Sequence, residues 1–334
     1  MKQKVYIRAD GSANIGLGHL VRCISLAHML NSDFSIHFFA LKIPVYLKNE
    51  IAQNGWDVTV IEKESDFLNK ITGDEIVVLD GYKFDSDDQK QIKSKRCKLV
   101  CIDDFHNQHF YADLVINHAP GVIKDDYEGE SYTKYLLGPD YALLRPEFLK
   151  ETLHKKMDNS GDIRSIFICF GGSDSKNLTA KVLSWLPSKD YSVTVVLGNA
   201  YNHQDLLNKV IEERQDLEII MKNSLNAMEM ENELEQADLA IVPASGILFE
   251  VISTGLPAIS GYYIDNQKGI YAGFKALGCI IDAINFGKEN FLKAMQIVND
   301  KSLALIRENQ TRAIDGLSMN RIQEEFKNLA SICV

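Results

Sequence analysis

The segment Arg8-Ala9-Asp10-Gly11-Ser12-Ala13-Asn14-Ile15-Gly16-Leu17-Gly18-His19 sets an acid and an imidazole around three glycines. Glycines permit a tight turn and a close approach of backbone to ligand. A helix opening behind them offers N–H groups and positive potential to an anion. The segment is not a Walker loop, because no Gly-Lys-Ser/Thr follows. It also fails the dinucleotide fingerprint, since Val21 stands where the third glycine belongs. His19 is the candidate catalytic residue. A positive helix end favours a neutral imidazole, the form that accepts a proton. The competing reading is a histidine that caps a helix or fills a core.

Further loops carry ligand-binding residue types. In Phe170-Gly171-Gly172-Ser173-Asp174, Gly171 and Gly172 let the backbone approach an anionic group. Ser175 or Asn177 is expected to cap the next helix; the alternative is an ordinary strand-to-helix turn. In Ala244-Ser245-Gly246-Ile247-Leu248-Phe249-Glu250, the Ser245-Gly246 turn could bind diphosphate through backbone N–H groups. Glu250, one turn onward, could accept hydrogen bonds from a ribose or simply favour the helix start. Asn266 and Gln267 could cap a helix or read a substrate, and Asp80-Gly81-Tyr82 could turn a carboxylate or phenol toward a cleft. The pair Asp103-Asp104 reads as solvated or turn-forming.

These residues need elements to hold them. Short β-branched runs alternate with helical stretches. Strands are predicted at Val5–Arg8, Ser35–Phe39, Val58–Ile61, Ile76–Asp80, Leu99–Asp103 and Leu114–Asn117. The pattern restarts at Ser165–Phe170, Ser192–Leu197, Leu217–Met221, Leu239–Val242, Ala258–Gly261 and Cys279–Asp282. Continuous apolar runs suit parallel strands covered on both faces. The expected fold is α/β, with two Rossmann-like, doubly wound domains facing across a cleft. The first domain covers 1–150 and carries the glycine-rich loop and His19. The second covers 151–310 and binds nucleotide. Residues 311–334 form a C-terminal helix, the end of a stretch read as helical from about Lys288. The polar run Lys155 to Asp162 reads as part of an interdomain linker. Every candidate loop follows a strand's carboxyl end, where such folds bind ligands.

Composition sets the outer limits. The 334 residues are 46% hydrophobic and 25% charged, which is globular, and the net charge of −10 argues against a nucleic-acid footprint. The six cysteines form no C-x-x-C pair, and most sit in apolar runs. That usage suits a reducing compartment with neither a disulfide scaffold nor a zinc site. No apolar stretch approaches the ~20 residues of a membrane helix, so a cytoplasmic location without membrane contact is expected.

The string R-A-D-G-S-x-x-I-G-x-G-H-x-x-R-C (Arg8 to Cys23) resembles the opening motif of the UDP-2,4-diacetamido-2,4,6-trideoxy-β-L-altropyranose hydrolases of pseudaminic acid biosynthesis, the PseG family. L-G-P-D-Y-A-L-L-R-P-E-F (Leu137 to Phe148), F-G-G-S-D and A-S-G-I-L-F-E resemble it too, in the same order. The resemblance implies a GT-B-type fold, like the glycosyltransferase that makes lipid II. It implies metal-free cleavage of the bond between anomeric carbon and phosphate oxygen, with inversion, by a water that His19 positions or deprotonates. No cofactor is implied, and the partners are the UDP-sugar and UDP. Asp10, Gly18, Tyr82 and Asn266 would lie near the sugar. Gly171, Gly172, Ser245 and Gly246 would approach the diphosphate, and Glu250 the ribose. The motif does not fix the sugar's stereochemistry. An inverting glycosyltransferase and a non-catalytic nucleotide-sugar binder share most of these features.

Overall fold

A computed structural model describes residues 2–12, 15–149, 163–298 and 300–331. It divides into two compact units: Met1–Pro146 together with Leu317–Val334, and Glu147–Gly316. The predicted linker run Lys155 to Asp162 lies outside the described residues.

The first unit contains β1 (Gln3–Ala9), α1 (Gly18–Leu30), β2 (Phe34–Ala40), α2 (Val45–Gln53), β3 (Asp57–Val60), α3 (Glu64–Leu68), β4 (Ile76–Asp80), α4 (Ser86–Ser94) and β5 (Lys98–Ile102). Then follow β6 (His109–Phe110), β7 (Leu114–Asn117), β8 (Glu128–Gly129) and β9 (Lys134–Leu137). Seven strands form a parallel sheet ordered β3-β2-β1-β4-β5-β7-β9. Strand β4 explains the arrangement. Its residues Val77, Val78 and Leu79 are all at most 2% exposed, so both faces are covered and a run without alternation is favoured.

The second unit holds β10 (Ser165–Ile168), α5 (Leu178–Trp185), β11 (Ser192–Leu197), α6 (Gln204–Glu213), β12 (Glu218–Asn223), α7 (Ala227–Glu235), β13 (Leu239–Pro243), α8 (Gly246–Thr254) and β14 (Ala258–Gly261). After these come α9 (Lys268–Ala276), β15 (Ile281–Asp282), α10 (Lys288–Ile297) and α11 (Asp300–Ala313). Its six-stranded parallel sheet runs β12-β11-β10-β13-β14-β15. Within its unit that is the order third, second, first, fourth, fifth, sixth, the doubly wound arrangement.

Three features depart from the expected pattern. Strand β9 adds a seventh strand at the edge beside β7, announced in the sequence only by the short run Tyr135-Leu136-Leu137. The terminal stretch is three helices rather than one run. The last of them, α12 (Ser318–Ser331), packs on α1 in the first unit instead of standing apart. There Gln323 donates to the Met29 carbonyl at 2.6 Å, Phe326 meets Phe34 edge-on, and Glu325 pairs with Lys134 at 2.6 Å. Finally, Asn177 is no side-chain cap. Its φ of 50° is left-handed and its Oδ1 accepts from Tyr201, while the Asp174 carboxylate accepts from Leu178 N and Thr179 N at 2.7 and 2.8 Å. Among the described residues no helix is long and apolar enough to cross a membrane.

Candidate active site

In the first sheet, β1 and β4 are neighbours from which the chain winds outward in opposite directions, so the crevice at their carboxyl ends is the switch point. The glycine-rich loop leaves β1 there, and β4 ends there in Asp80. Helix α1 begins at Gly18 with Leu17 at its N-cap, which supplies no side-chain cap. A side chain on Gly18 would meet nothing within 4 Å, so this helix end is open. His19 follows, 5% exposed, and its Nδ1 lies 2.7 Å from Asp80 Oδ1. A carboxylate only accepts, so Nδ1 carries the hydrogen, and in the neutral ring the lone pair is then on Nε2. Arg22 Nη2 also stands 3.2 Å from Nδ1, but two donors cannot bond each other, and that nitrogen is already committed to Asp80 Oδ1 at 2.6 Å.

Arg22 is the hub of the cluster. Its Nε donates to Asp80 Oδ2 and its Nη1 to Asp104 Oδ1, both at 2.6 Å. Asp104 Oδ2 accepts from the Tyr82 hydroxyl at 2.8 Å. The Tyr82 ring packs edge-on against His19, with centroids 4.5 Å apart. Burial opposes ionisation of Asp80, but the charge and hydrogen bonds of Arg22, then the contact with His19, outweigh it and hold the carboxyl well below the usual range. The same balance of burial against the Arg22 charge lowers Asp104. Tyr82 and Asp104 also line a pocket of about 210 Å³ that reaches Phe84, Phe105 and Gln108.

His118 lies close enough to feel these charges. Burial first, then the Arg22 charge, pushes it down to about 4, and its Nδ1 accepts from Leu143 N. Since its folded value lies below the usual 6.5, the unfolded chain binds this proton first as pH falls. Stability is therefore complete above about pH 6.5 and is lost toward pH 4. The expected contribution is about 3 kcal/mol at ~1.4 kcal/mol per tenfold in proton affinity. Urea unfolding of wild type and His118→Gln across this window checks it: the variant should lose that part of the slope. Parallel pH dependences would assign the acid sensitivity to other groups.

Asp10 belongs to a separate cluster. Its Oδ1 accepts from Leu41 N and Lys42 N at 2.7 and 3.0 Å, and its Oδ2 meets Arg8 at 2.9 Å and Lys83 at 2.6 Å. Fully buried Arg8 and the exposed Lys83 both continue to Glu64. The structure thus brings His19, Gly18 and Tyr82 together; the Asp10 carboxylate, one residue past Ala9, the β1 partner of Asp80, is held by four donors of its own.

In the second unit the corresponding neighbours are β10 and β13. The loop after β10 holds Gly171, at φ 78°, and Gly172. A Cβ on Gly198 would come within 2.4 Å of Gly172 Cα, so the loops after β10 and β11 are in backbone contact. After β13, Ser245 caps α8 in extended conformation without a side-chain bond, and Gly246 opens onto empty space. Glu250 lies one turn onward, 7% exposed. Both switch points therefore present an uncapped helix start beside glycines, a geometry suited to anions. Half-buried Asn266 sits in the single 3-10 turn Asp265–Gln267 before α9, where Gln267 Oε1 accepts from Tyr263 N. Among the described residues no three His, Cys, Asp or Glu side chains converge as a metal site, and burial pushes the Cys97 thiol up to about 12.

No protein-family model matches the chain. An uncharacterized protein of Methanocaldococcus jannaschii is 32% identical over 283 residues, 80% of this chain; the match spans only 57% of that relative. The spore coat polysaccharide biosynthesis protein SpsG of Bacillus subtilis is 28% identical over 83% of each chain. The UDP-2,4-diacetamido-2,4,6-trideoxy-beta-L-altropyranose hydrolase of Campylobacter jejuni is 29% identical over 273 residues, covering 79% of this chain and 93% of its own. The chain is similar to that hydrolase over most of both lengths. The solved structures of Acinetobacter baumannii MurG (TM-score 0.67, 11% identity, 98% and 100% of the two chains) and Anabaena HepE with UDP and glucose (0.60, 13%, 99% and 100%) share the fold, which is GT-B-type.

Two residues of the site carry geometry that the motifs alone give no role. Arg22 stood inside the opening motif without an assignment. Asp104, expected to be solvated or turn-forming, is instead a largely enclosed anion paired with Arg22. The turn-forming reading fits its neighbour Asp103, whose carboxylate accepts from Phe105 N and His106 N. A usable signal was the His19-x-x-Arg22 spacing, which puts both side chains on one helix face.

Proposed function

We propose that the chain hydrolyses the anomeric C–O bond of a UDP-linked diacetamido-trideoxy sugar, releasing UDP and free sugar with inversion, as a cytoplasmic step of nonulosonic acid synthesis. The observation that carries this reading is the His19–Asp80 contact at 2.7 Å, which leaves Nε2 as a proton acceptor at the first switch point. The homology to a named hydrolase of the same substrate class supports it. His19 Nε2 takes a proton from water as the water oxygen attacks the anomeric carbon. The bond to the β-phosphate oxygen breaks, and its electrons leave with UDP. The diphosphate is a stable anion, so no carboxylic acid is required at the leaving group. Gly171, Gly172, Ser245 and Gly246 supply backbone donors to the diphosphate, and Glu250 accepts from the ribose. Gly18, Tyr82 and Asn266 contact the sugar. Asp10 supports this region through Leu41 N and Lys42 N.

The test is UDP release from UDP-2,4-diacetamido-2,4,6-trideoxy-β-L-altrose without acceptor, followed by proton NMR. Stoichiometric UDP and free sugar, inverted at first appearance, are expected. UDP binding without release sinks hydrolysis of this sugar and leaves a transferase, a different sugar or a binding protein. In the same assay His19→Ala should keep its fold and its affinity for UDP. Turnover should fall by on the order of a hundredfold or more, the usual size of a lost general base. Near-normal turnover in the folded variant would remove His19 from this role.

A further inference from the structure

We propose that Arg22 is a positioning residue of this site, a planar clamp that fixes the His19 base and the Tyr82 phenol as one unit. The proposal rests on the hydrolase reading for its kinetic part. Its structural part stands on the cluster alone.

Five side chains close a ring. His19 Nδ1 donates to Asp80, Arg22 donates to both Asp80 oxygens, Arg22 Nη1 reaches Asp104, Asp104 accepts from Tyr82, and the Tyr82 ring returns to His19. Asp80 is fully buried and the Arg22 side chain is 13% exposed, so water does little of this work. A lone carboxylate beside an imidazole can rotate about its bond and let the ring follow. Two parallel N–H donors from one guanidinium stop that rotation, because the fork matches the carboxylate plane. With Asp80 fixed, the Nδ1–H direction is fixed, and so is the line along which Nε2 points. The third nitrogen holds one oxygen of Asp104, whose other oxygen accepts from the Tyr82 hydroxyl. Arg22 comes three residues after His19 on the same helix, so α1 sets base and clamp together. A lysine cannot replace it: an ammonium is a point charge and cannot direct donors along three fixed lines.

The experiment compares Arg22→Lys, Arg22→Gln and Asp104→Asn with wild type. It reads melting temperature, UDP affinity, kcat and KM for UDP release, and nitrogen-15 NMR of the His19 ring, assigned by difference with His19→Ala. Both Arg22 variants are expected to bind UDP normally. Their kcat should fall about fiftyfold or more with KM changed less than about threefold, as for an interaction expressed mainly in the transition state. The sharp Nδ1–H signature of the ring should give way to exchange between tautomers, and Arg22→Lys should not restore it. Asp104→Asn, which loosens one arm, should show a smaller loss, about tenfold, in kcat. It also keeps the proposal testable where the Arg22 variants fail to fold. A folded Arg22→Lys with wild-type kcat and ring spectrum overturns the proposal, as does a wild-type kcat and spectrum in Asp104→Asn when the Arg22 variants do not fold. If wild type releases no UDP from the test substrate, the hydrolase reading fails for that substrate while the ring spectra still decide the clamp.

Discussion

Asp80→Asn is expected to lower kcat by on the order of a thousandfold while UDP affinity stays as in wild type. The reason is proton placement. In the native site Asp80 accepts every bond it makes: from His19 Nδ1, from two nitrogens of Arg22, and from Cys23 Sγ at 3.4 Å. An asparagine has one NH2 to place. Toward His19, it donates to Nδ1 and drives the ring hydrogen to Nε2, which abolishes the base. Away from His19, it opposes Arg22 Nε and breaks the fork that holds the carbonyl in line. Neither orientation supplies the anion that stabilises the imidazolium forming as water is deprotonated. Nothing in this change touches Ser245, Gly246 or Glu250, so nucleotide affinity should not follow kcat. Breaking a buried pair costs stability, and the comparison therefore needs a cooperative melt for the variant. Asp80→Glu retains the charge with its position moved and should recover only part of the loss. A folded Asp80→Asn enzyme within threefold of wild-type kcat would show that the ring does not act as the base.

What the sequence revealed depended on how locally each feature is encoded. Strands such as Ile76–Asp80 and Ala258–Gly261 were legible to the residue, because strands buried on both faces need unbroken apolar runs bounded by polar ends. The glycine-rich loops were legible as tight turns after strand ends for the same local reason. The ion-pair ring was not. Arg22 and Asp104 lie 82 positions apart, and only the sheet order brings the ends of β4 and β5 beside α1. Seen alone, Asp103-Asp104 is two acids after a strand, and solvated acids are the common outcome. The placement of α12 was hidden in the same way. Its apolar side, with Ile322, Phe326 and Leu329 buried, requires a partner, but nothing local says that the partner is α1 at the other end of the chain.

Gly246→Asp should raise the dissociation constant for UDP by about a hundredfold and leave the melting temperature unchanged or slightly higher. The two effects oppose because they arise from one charge. A side chain at Gly246 meets no atom within 4 Å, so the fold admits it without strain. A carboxylate in the first turn of α8, which holds no acid there now, interacts favourably with the helix end by ~0.3–1 kcal/mol. If the diphosphate binds at that helix end, the same carboxylate meets an anion at short range. At an effective dielectric constant near 20, two unit charges about 4 Å apart repel by ~4 kcal/mol, and partial screening still leaves about two powers of ten in affinity. Gly246→Asn is the neutral counterpart and should lose much less affinity. Isothermal titration of UDP beside a thermal melt resolves both effects in one preparation. Raised stability with unchanged UDP affinity would move the diphosphate away from α8. A fall in both quantities would mean that the loop after β13 needs glycine for its own conformation, and the assignment of Ser245 and Gly246 to phosphate would lose its main support.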